Sequence, residues 1–366
     1  MEQSGMITNN KVLPIAGIGT ENLSIELTTR CTNECSHCFA RAGRIDSPEL
    51  SFDTAQGIIA EGFRIGYRHL HLTGGEPLLW PHLFGLLDGA ASLGYEMLFI
   101  NTNGTLLTPD TARRLAGFGE RLHLSISLQG PEQIHDRFRG PGSFQKATQG
   151  ARNSLDAALS VFIFATVGKS LVAVLPRFAE YVFTELPGVK GLTLIQLIRV
   201  AGRSVSEGFK PLANGTDDAH GLDRELLAPE DFVGMVRSAA LLNLYGYPVT
   251  VLENPLATVA ADLMEMPWLP PEPMLYRNGK IVVMADRSIT LAHSSRETYG
   301  AYAPGALSAV LMSEDYARAV SPDTVTCPYC RFRSACAEKG MVRPSEWFRD
   351  RDGSAPYCKR VLRLIA

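Results

Sequence analysis

Residues 31–38, Cys31-Thr32-Asn33-Glu34-Cys35-Ser36-His37-Cys38, decide the reading of this chain. Three cysteines in C-x3-C-x2-C spacing follow a short apolar run, Leu23–Leu27. Soft thiolates in this arrangement select iron–sulfur clusters or zinc. Three of them around a cubane cluster leave one iron open to an amine and carboxylate chelate. Structural zinc takes a fourth protein ligand, and His37 is the candidate. The other four of the seven cysteines lie far away, at Cys327, Cys330, Cys336 and Cys358, with none between residues 39 and 326. Four thiolates leave no open position, and zinc is the alternative there too.

The chain has 366 residues, too many for one ordinary core, so a large domain with a smaller one attached is expected. A formal charge of −3 gives no reason to expect nucleic acid as partner. The first residues, MEQSGMITNNKVLP, lack a basic segment followed by an apolar one, and no apolar stretch reaches membrane-spanning length. The expectation is a cytoplasmic protein without a membrane partner. Disulfides are disfavoured in that compartment, which leaves metal binding as the account of the cysteines.

Outward from the cysteine loop, apolar runs alternate with amphipathic stretches. Strands are expected at Leu23–Leu27, His69–Leu72, Glu96–Ile100, Leu122–Ser127, Val161–Thr166 and Leu192–Leu197. Helices are expected near Phe52–Glu61, Pro81–Leu93, Pro109–Phe118, Phe144–Ala157, Leu171–Thr184 and Pro229–Leu244. This alternation predicts an α/β fold, a partial (β/α)6 barrel with its chemistry at the C-terminal rim of the strands. Residues 1–20 form an expected N-terminal arm with a short hairpin around Lys11–Ile15. The barrel spans 21–228, and 229–366 hold a linker helix and a small iron–sulfur domain. Residues 203–230, rich in Ser, Gly, Asn and Asp, read as a link or a loop over the active site. Arg277-Asn278-Gly279-Lys280 suggests a hairpin turn.

On CTNECSHC, and on Gly74-Gly75-Glu76-Pro77 after the second strand, the sequence resembles the radical S-adenosylmethionine (radical SAM) superfamily. FINTNGTLL at 99–107, HLSISLQGP at 123–131 and HDRFRGPGSF at 135–144 continue the resemblance. It implies a [4Fe-4S] cluster on Cys31, Cys35 and Cys38 with S-adenosylmethionine at the open iron. Gly74, Gly75 and Glu76 would then meet the methionyl amino group, and Phe39 the adenine. Asn103 and Ser127 are candidates for the ribose or the carboxylate, with turn capping as the plain alternative. Gln129 stands where many relatives have aspartate, which takes one negative charge from the rim.

The second cysteine group resembles the latter half of a SPASM (or Twitch) domain, implying one auxiliary [4Fe-4S] cluster on Cys327, Cys330, Cys336 and Cys358. Complete modules carry further cysteines. Here Ala292 and His293 stand where one belongs, and Gly340 where another does. His293 is read as a hydrogen-bonding histidine rather than a ligand. The resemblance implies an external electron donor such as flavodoxin or ferredoxin, and an oxidative outcome: bond formation, dehydrogenation or decarboxylation. With all seven cysteines as ligands, none remains as a hydrogen donor. The substrate reading leans to a ribosomally made peptide, with a separate precursor-binding protein as partner. Small-molecule, sugar or tetrapyrrole biosynthesis is the alternative, and a noncatalytic zinc or iron–sulfur protein a third. Arg137, Arg139 and Lys146 either engage an anion or are surface charge.

Overall fold

The computed structural model describes residues 18, 21–38, 40, 42, 47–198, 222–272, 277–294, 297–321, 331–338 and 357–366. The six expected strands form: β1 (Asn22–Glu26), β2 (His69–Thr73), β3 (Met97–Thr102), β4 (Leu122–Ser127), β5 (Ser160–Val167) and β6 (Gly191–Gln196). Each pairs in parallel with the next. Between them run α1 (Phe52–Ile65), α2 (Leu83–Leu93), α3 (Pro109–Ala116), α4 (Glu132–Arg139), α5 (Ser143–Asp156), α6 (Lys169–Val172) and α7 (Leu175–Glu185). Local chemistry sets the ends of α1. The Ser51 side chain accepts the Thr54 N–H, and Gly66 stops the helix at φ 122°.

Two helices differ from expectation. The single helix expected over 171–184 is split into α6 and α7, because Pro176 in the first turn of α7 has no N–H to continue an earlier turn. Residues 132–139, which run into the HDRFRG motif at 135–140, are helical. They end at Gly140, whose φ of 104° suits glycine.

The sheet does not stop at six strands. After α8 (Pro229–Leu244), β7 (Val249–Val251) joins β6 in parallel. After α9 (Pro255–Leu263), β8 (Ile281–Val283) joins β1 in parallel, and β9 (Ile289–Thr290) pairs antiparallel to β8. Among the described residues the order is β7-β6-β5-β4-β3-β2-β1-β8-β9. The sheet therefore continues into the segment expected to stand apart from it. Arg277–Lys280 does turn, with the Lys280 N–H on the Arg277 carbonyl at 3.0 Å. The hairpin itself closes later, where Met284 N–H meets the Ser288 carbonyl at 2.8 Å.

The strands alternate between two faces, most regularly on β5. On β5, Val161, Ile163, Ala165 and Val167 are buried, while Ser160, Phe162, Phe164 and Thr166 stay partly accessible. The first set faces the helices; the second lines the concave side. A closed eight-stranded barrel fills its interior with side chains. This open one keeps a lumen. Across its open seam, Lys280 just before β8 donates to Glu253 just after β7 at 2.8 Å.

The C-terminal helices α10 (Ala306–Leu311), α11 (Glu314–Val320), α12 (Arg333–Glu338) and α13 (Tyr357–Ile365) complete the described fold. Buried Glu61 on α1 accepts the N–H groups of Gly305 (3.0 Å) and Ser308 (3.2 Å), which ties α10 to the barrel. The Tyr357 hydroxyl donates to the Ala228 carbonyl at 3.1 Å. One apolar cluster runs from Ile25 through Leu307 to Val361. No described helix is long and apolar enough to cross a membrane. The arm expected over 1–20, apart from Ile18, and residues 203–221 of the expected loop lie outside the described residues, as do 199–202.

Candidate functional site

The cysteine loop leaves β1 and runs along the glycine motif. The Gly75 N–H donates to the Thr28 carbonyl at 2.6 Å and the Glu76 N–H to the Arg30 carbonyl at 2.8 Å. A Cβ on Gly75 would stand 2.1 Å from the Arg30 oxygen, and one on Gly74 2.3 Å from the Thr28 oxygen. Sequence reasoning assigned these glycines to a ligand's polar end. The structure gives them a second partner, the backbone that launches the cysteine loop.

Glu76 has no exposed surface. Its carboxylate accepts the Thr102 hydroxyl (2.7 Å), the Asn103 N–H (2.8 Å) and the Leu78 N–H (3.2 Å). Burial pushes the carboxyl up to about 7, and these three hydrogen bonds pull the other way. Glu76 thus clasps the end of β3 to the glycine turn. The Asn103 side chain then reaches the cysteines: its amide donates to Thr32 Oγ1 at 2.8 Å and lies 3.6 Å from Cys31 Sγ. Its Oδ1 accepts from Thr105, so the expected turn-capping role and a position beside the cysteines coincide. Ser127 is the last residue of β4, partly accessible and in register with Phe164 on the lumen side.

Cys31, Cys35 and Cys38 share one loop, held by the Cys38 N–H on the Cys35 carbonyl at 3.2 Å. Cys31 Sγ accepts the Asn33 N–H at 3.4 Å. Burial pushes the Cys31 thiol up to about 12, and the neighbouring Glu76, Cys35 and Cys38 add to the rise. Cys35 is raised by burial as well, with Arg139 pulling it back. Thiols in so dry a loop ionise when a cation binds them.

Arg139 is what the sequence left undecided. It comes from the last turn of α4, which packs on the loop through the Ser36 N–H and the Phe138 carbonyl at 2.9 Å. The side chain is 9% exposed. Nη1 lies 3.9 Å from Cys35 Sγ and Nη2 3.5 Å from Gln129 Oε1, while Nε is buried with no hydrogen-bond partner. No carboxylate pairs with it among the described residues. A buried cation without a counter-charge costs several kcal/mol. Three thiolates around a cluster supply that missing anion, so the residues present fit a cysteine-ligated iron–sulfur group.

The other nearby candidates resolve differently. His37 stands edge-on to Phe138 at 5.5 Å, and burial holds it well below its usual range. No three His, Cys, Asp or Glu side chains among the described residues converge on a single metal ion. Gln129, in place of the aspartate of many relatives, is fully buried. Its amide donates to the Thr166 carbonyl, and its N–H to His135 Nδ1 at 3.0 Å. Arg137 pairs with Glu225 and donates to Ser170 Oγ at 3.0 Å, and Lys146 is exposed on α5. Of the three basic residues, only Arg139 faces the cysteines.

A test follows. Arg139→Met removes a positive charge beside the cluster, which stabilises the more negative, reduced state. An EPR-monitored redox titration is expected to find the N-terminal cluster harder to reduce by about 60 mV, a tenfold change in the reduced-to-oxidised ratio. An unchanged potential would rule out a direct electrostatic role.

In the C-terminal group, Cys336 is half-buried on α12 and Cys358 is buried on α13. Cys327, Cys330 and Phe39 lie outside the described residues. His293 stands in the lumen with its ring 5.8 Å from that of His71. Sequence reasoning missed His71, Glu253 and Lys280. The alternation of His69-Leu70-His71-Leu72 was signal enough to place His71 on the inner face.

Residues 25–171 match the family model described as the Radical SAM superfamily. Mycofactocin maturase MftC of Mycobacterium tuberculosis (strain ATCC 25618 / H37Rv) is 34% identical over 184 residues, 50% of this chain and 45% of that protein. AdoMet-dependent heme synthase of Methanosarcina barkeri is 37% identical over 147 residues, 39% of this chain and 42% of that protein. The chain thus spans less than half the length of these curated relatives. Among solved structures, anSMEcpe with bound AdoMet and Kp18Cys peptide superimposes with a TM-score of 0.68 at 17% identity, covering 94% of this chain and 98% of that one. Streptococcus suis SuiB bound to precursor peptide SuiA gives 0.61 at 14% identity, covering 89% and 70%. At such identities the likeness shows the fold, an α/β partial barrel.

Proposed function

We propose, on the premise that residues 25–171 are a radical SAM superfamily domain, that this chain is a radical SAM enzyme carrying out an oxidative modification. Cys31, Cys35 and Cys38 would hold a [4Fe-4S] cluster, whose bound S-adenosylmethionine supplies, on reduction, the 5′-deoxyadenosyl radical that takes hydrogen from substrate. The observation carrying this reading is Arg139, a buried cation aimed at Cys35 with no carboxylate to pair it among the described residues. Gly74 and Gly75 hold the cysteine loop against the rim, and Glu76 fixes Asn103 beside Cys31. Phe39 for the adenine, and Asn103 and Ser127 for ribose or carboxylate, remain our assignments. The open lumen beneath gives a substrate room while the barrel wall excludes bulk water.

Anaerobic reconstitution followed by iron, sulfide and zinc analysis, with a deoxyadenosine assay on the same sample, tests this. Two clusters' worth of iron and reductive cleavage of S-adenosylmethionine are expected. Zinc in place of iron, with no cleavage, would overturn it.

We assign the auxiliary [4Fe-4S] cluster to Cys327, Cys330, Cys336 and Cys358 in a shortened SPASM-like segment within 229–366. Cys330→Ala is expected to lose that cluster's iron while deoxyadenosine formation without substrate persists. Loss of cleavage in protein that keeps its N-terminal cluster would contradict this division. A flavodoxin or ferredoxin is the expected electron donor, in the cytoplasm. The curated relatives include a mycofactocin maturase and a heme synthase, and SuiB was solved bound to a precursor peptide, so peptide and tetrapyrrole are the two substrate readings. We favour a peptide.

A further inference from the structure

The floor of the lumen holds a cluster of ionisable groups that the radical chemistry leaves unused. Strand register places Ser24, His71, Phe99 and His123 side by side on β1 to β4, all facing inward. His71 lies three residues before Gly74, about 10 Å of strand below the rim. Its Nδ1 is 3.1 Å from Ser24 Oγ, and the His293 ring meets it edge-on. Beside these rings the Lys280–Glu253 ion pair closes the seam, and the Glu253 N–H donates to Glu272 at 3.1 Å. The neighbouring inner face is aromatic: Phe99, the strand partner of His71, stacks on His123 with centroids 5.0 Å apart, and Phe162 stands 6.0 Å from Phe99.

We infer that this floor is a substrate subsite for an uncharged, amide-bearing segment with an aromatic side chain, and that it rejects polycarboxylates. The inference rests on the radical SAM reading and deepens its substrate class.

Charge decides the polar half. Lys280 and Glu253 neutralise each other at hydrogen-bond distance. Burial would raise Glu253, but the charge and hydrogen bond of Lys280 outweigh it and hold the carboxylate ionised. Burial, with Lys280 contributing, lowers His71 to about 4 and His293 to about 3, so both rings are neutral at pH 7. With Nδ1 on Ser24, the neutral His71 ring keeps Nε2 for one hydrogen bond to an amide. A carboxylate arriving here would have to displace Glu253 from Lys280 or lie next to Glu253 with no cation of its own. Geometry decides the other half. The stacked Phe99–His123 face offers a planar apolar surface where an aromatic ring packs by offset or edge contact. A tetrapyrrole suits that wall, but its several carboxylates do not suit the floor.

The test uses the full chain, cluster-filled and loaded with S-adenosylmethionine, to select from a random library of short peptides capped by acetyl and amide groups. Wild type is expected to enrich aromatic residues, and deplete Asp and Glu, at least tenfold over input. His71→Leu should lose that selection, as should the double variant Lys280→Met/Glu253→Gln, with iron content and circular dichroism matching wild type. Acidic enrichment, displacement of the peptides by coproporphyrin, or unchanged selection in both variants would overturn the subsite. So would an absence of selection by wild type that still forms deoxyadenosine. Wild type that forms no deoxyadenosine would instead overturn the underlying reading.

Discussion

Replacing Cys35 by alanine is expected to remove the N-terminal cluster and bring reductive S-adenosylmethionine cleavage down to the protein-free background. Two thiolates cannot hold the corner irons of a cubane, and the lost one is the ligand nearest Arg139, 3.9 Å away. Its removal leaves that guanidinium buried without an anion. Breaking a buried charge pair on one side costs about 3–5 kcal/mol, so the loop should loosen as well as lose its iron. Iron analysis and a deoxyadenosine assay on one preparation check this, with the iron of the C-terminal group expected to remain. Full cleavage by a cluster-filled Cys35→Ala protein would end the central assignment.

Gly75→Ala is expected to act nearly as strongly although it removes no ligand. The added Cβ would lie 2.1 Å from the Arg30 carbonyl oxygen and 2.7 Å from that of Thr29. Backbone atoms cannot swing aside as a flexible side chain can. The strand leading into Cys31 must therefore move, and the Gly75–Thr28 hydrogen bond of 2.6 Å goes with it. Overpacking of this kind costs about 3 kcal/mol. A lowered melting temperature together with poor cluster retention is the expected pair of results. A variant that melts like wild type and holds its full iron would show that the loop yields freely, and that close packing is not why glycine stands there.

Much of the fold was legible because its signals are local. Each of the six expected strands appears within a residue or two of its expected bounds, since apolar alternation reports which face a strand buries. The helix over 132–139 escaped because its polar, charged face dominates the motif, and only His135, Phe138 and Arg139 turn inward. The membership of β7 to β9 in the main sheet escaped as well. Two or three residues carry no record of which edge they will pair with. Glu76 and Gln129 were both named from the sequence, yet their hydrogen-bond partners lie on other strands and were hidden.

The sequence by itself narrowed the ligand chemistry to iron–sulfur or zinc, through two cysteine groups whose spacing restricts what they hold. It also determined the alternating architecture, through a period that neighbouring residues set together. Only the tertiary structure decided which charges meet those ligands and what lines the lumen. Arg139 and Cys35 are 104 positions apart, and Lys280 and Glu253 belong to opposite ends of an open sheet. Contacts of that kind depend on the register and curvature of every strand between them, and no local pattern encodes that sum.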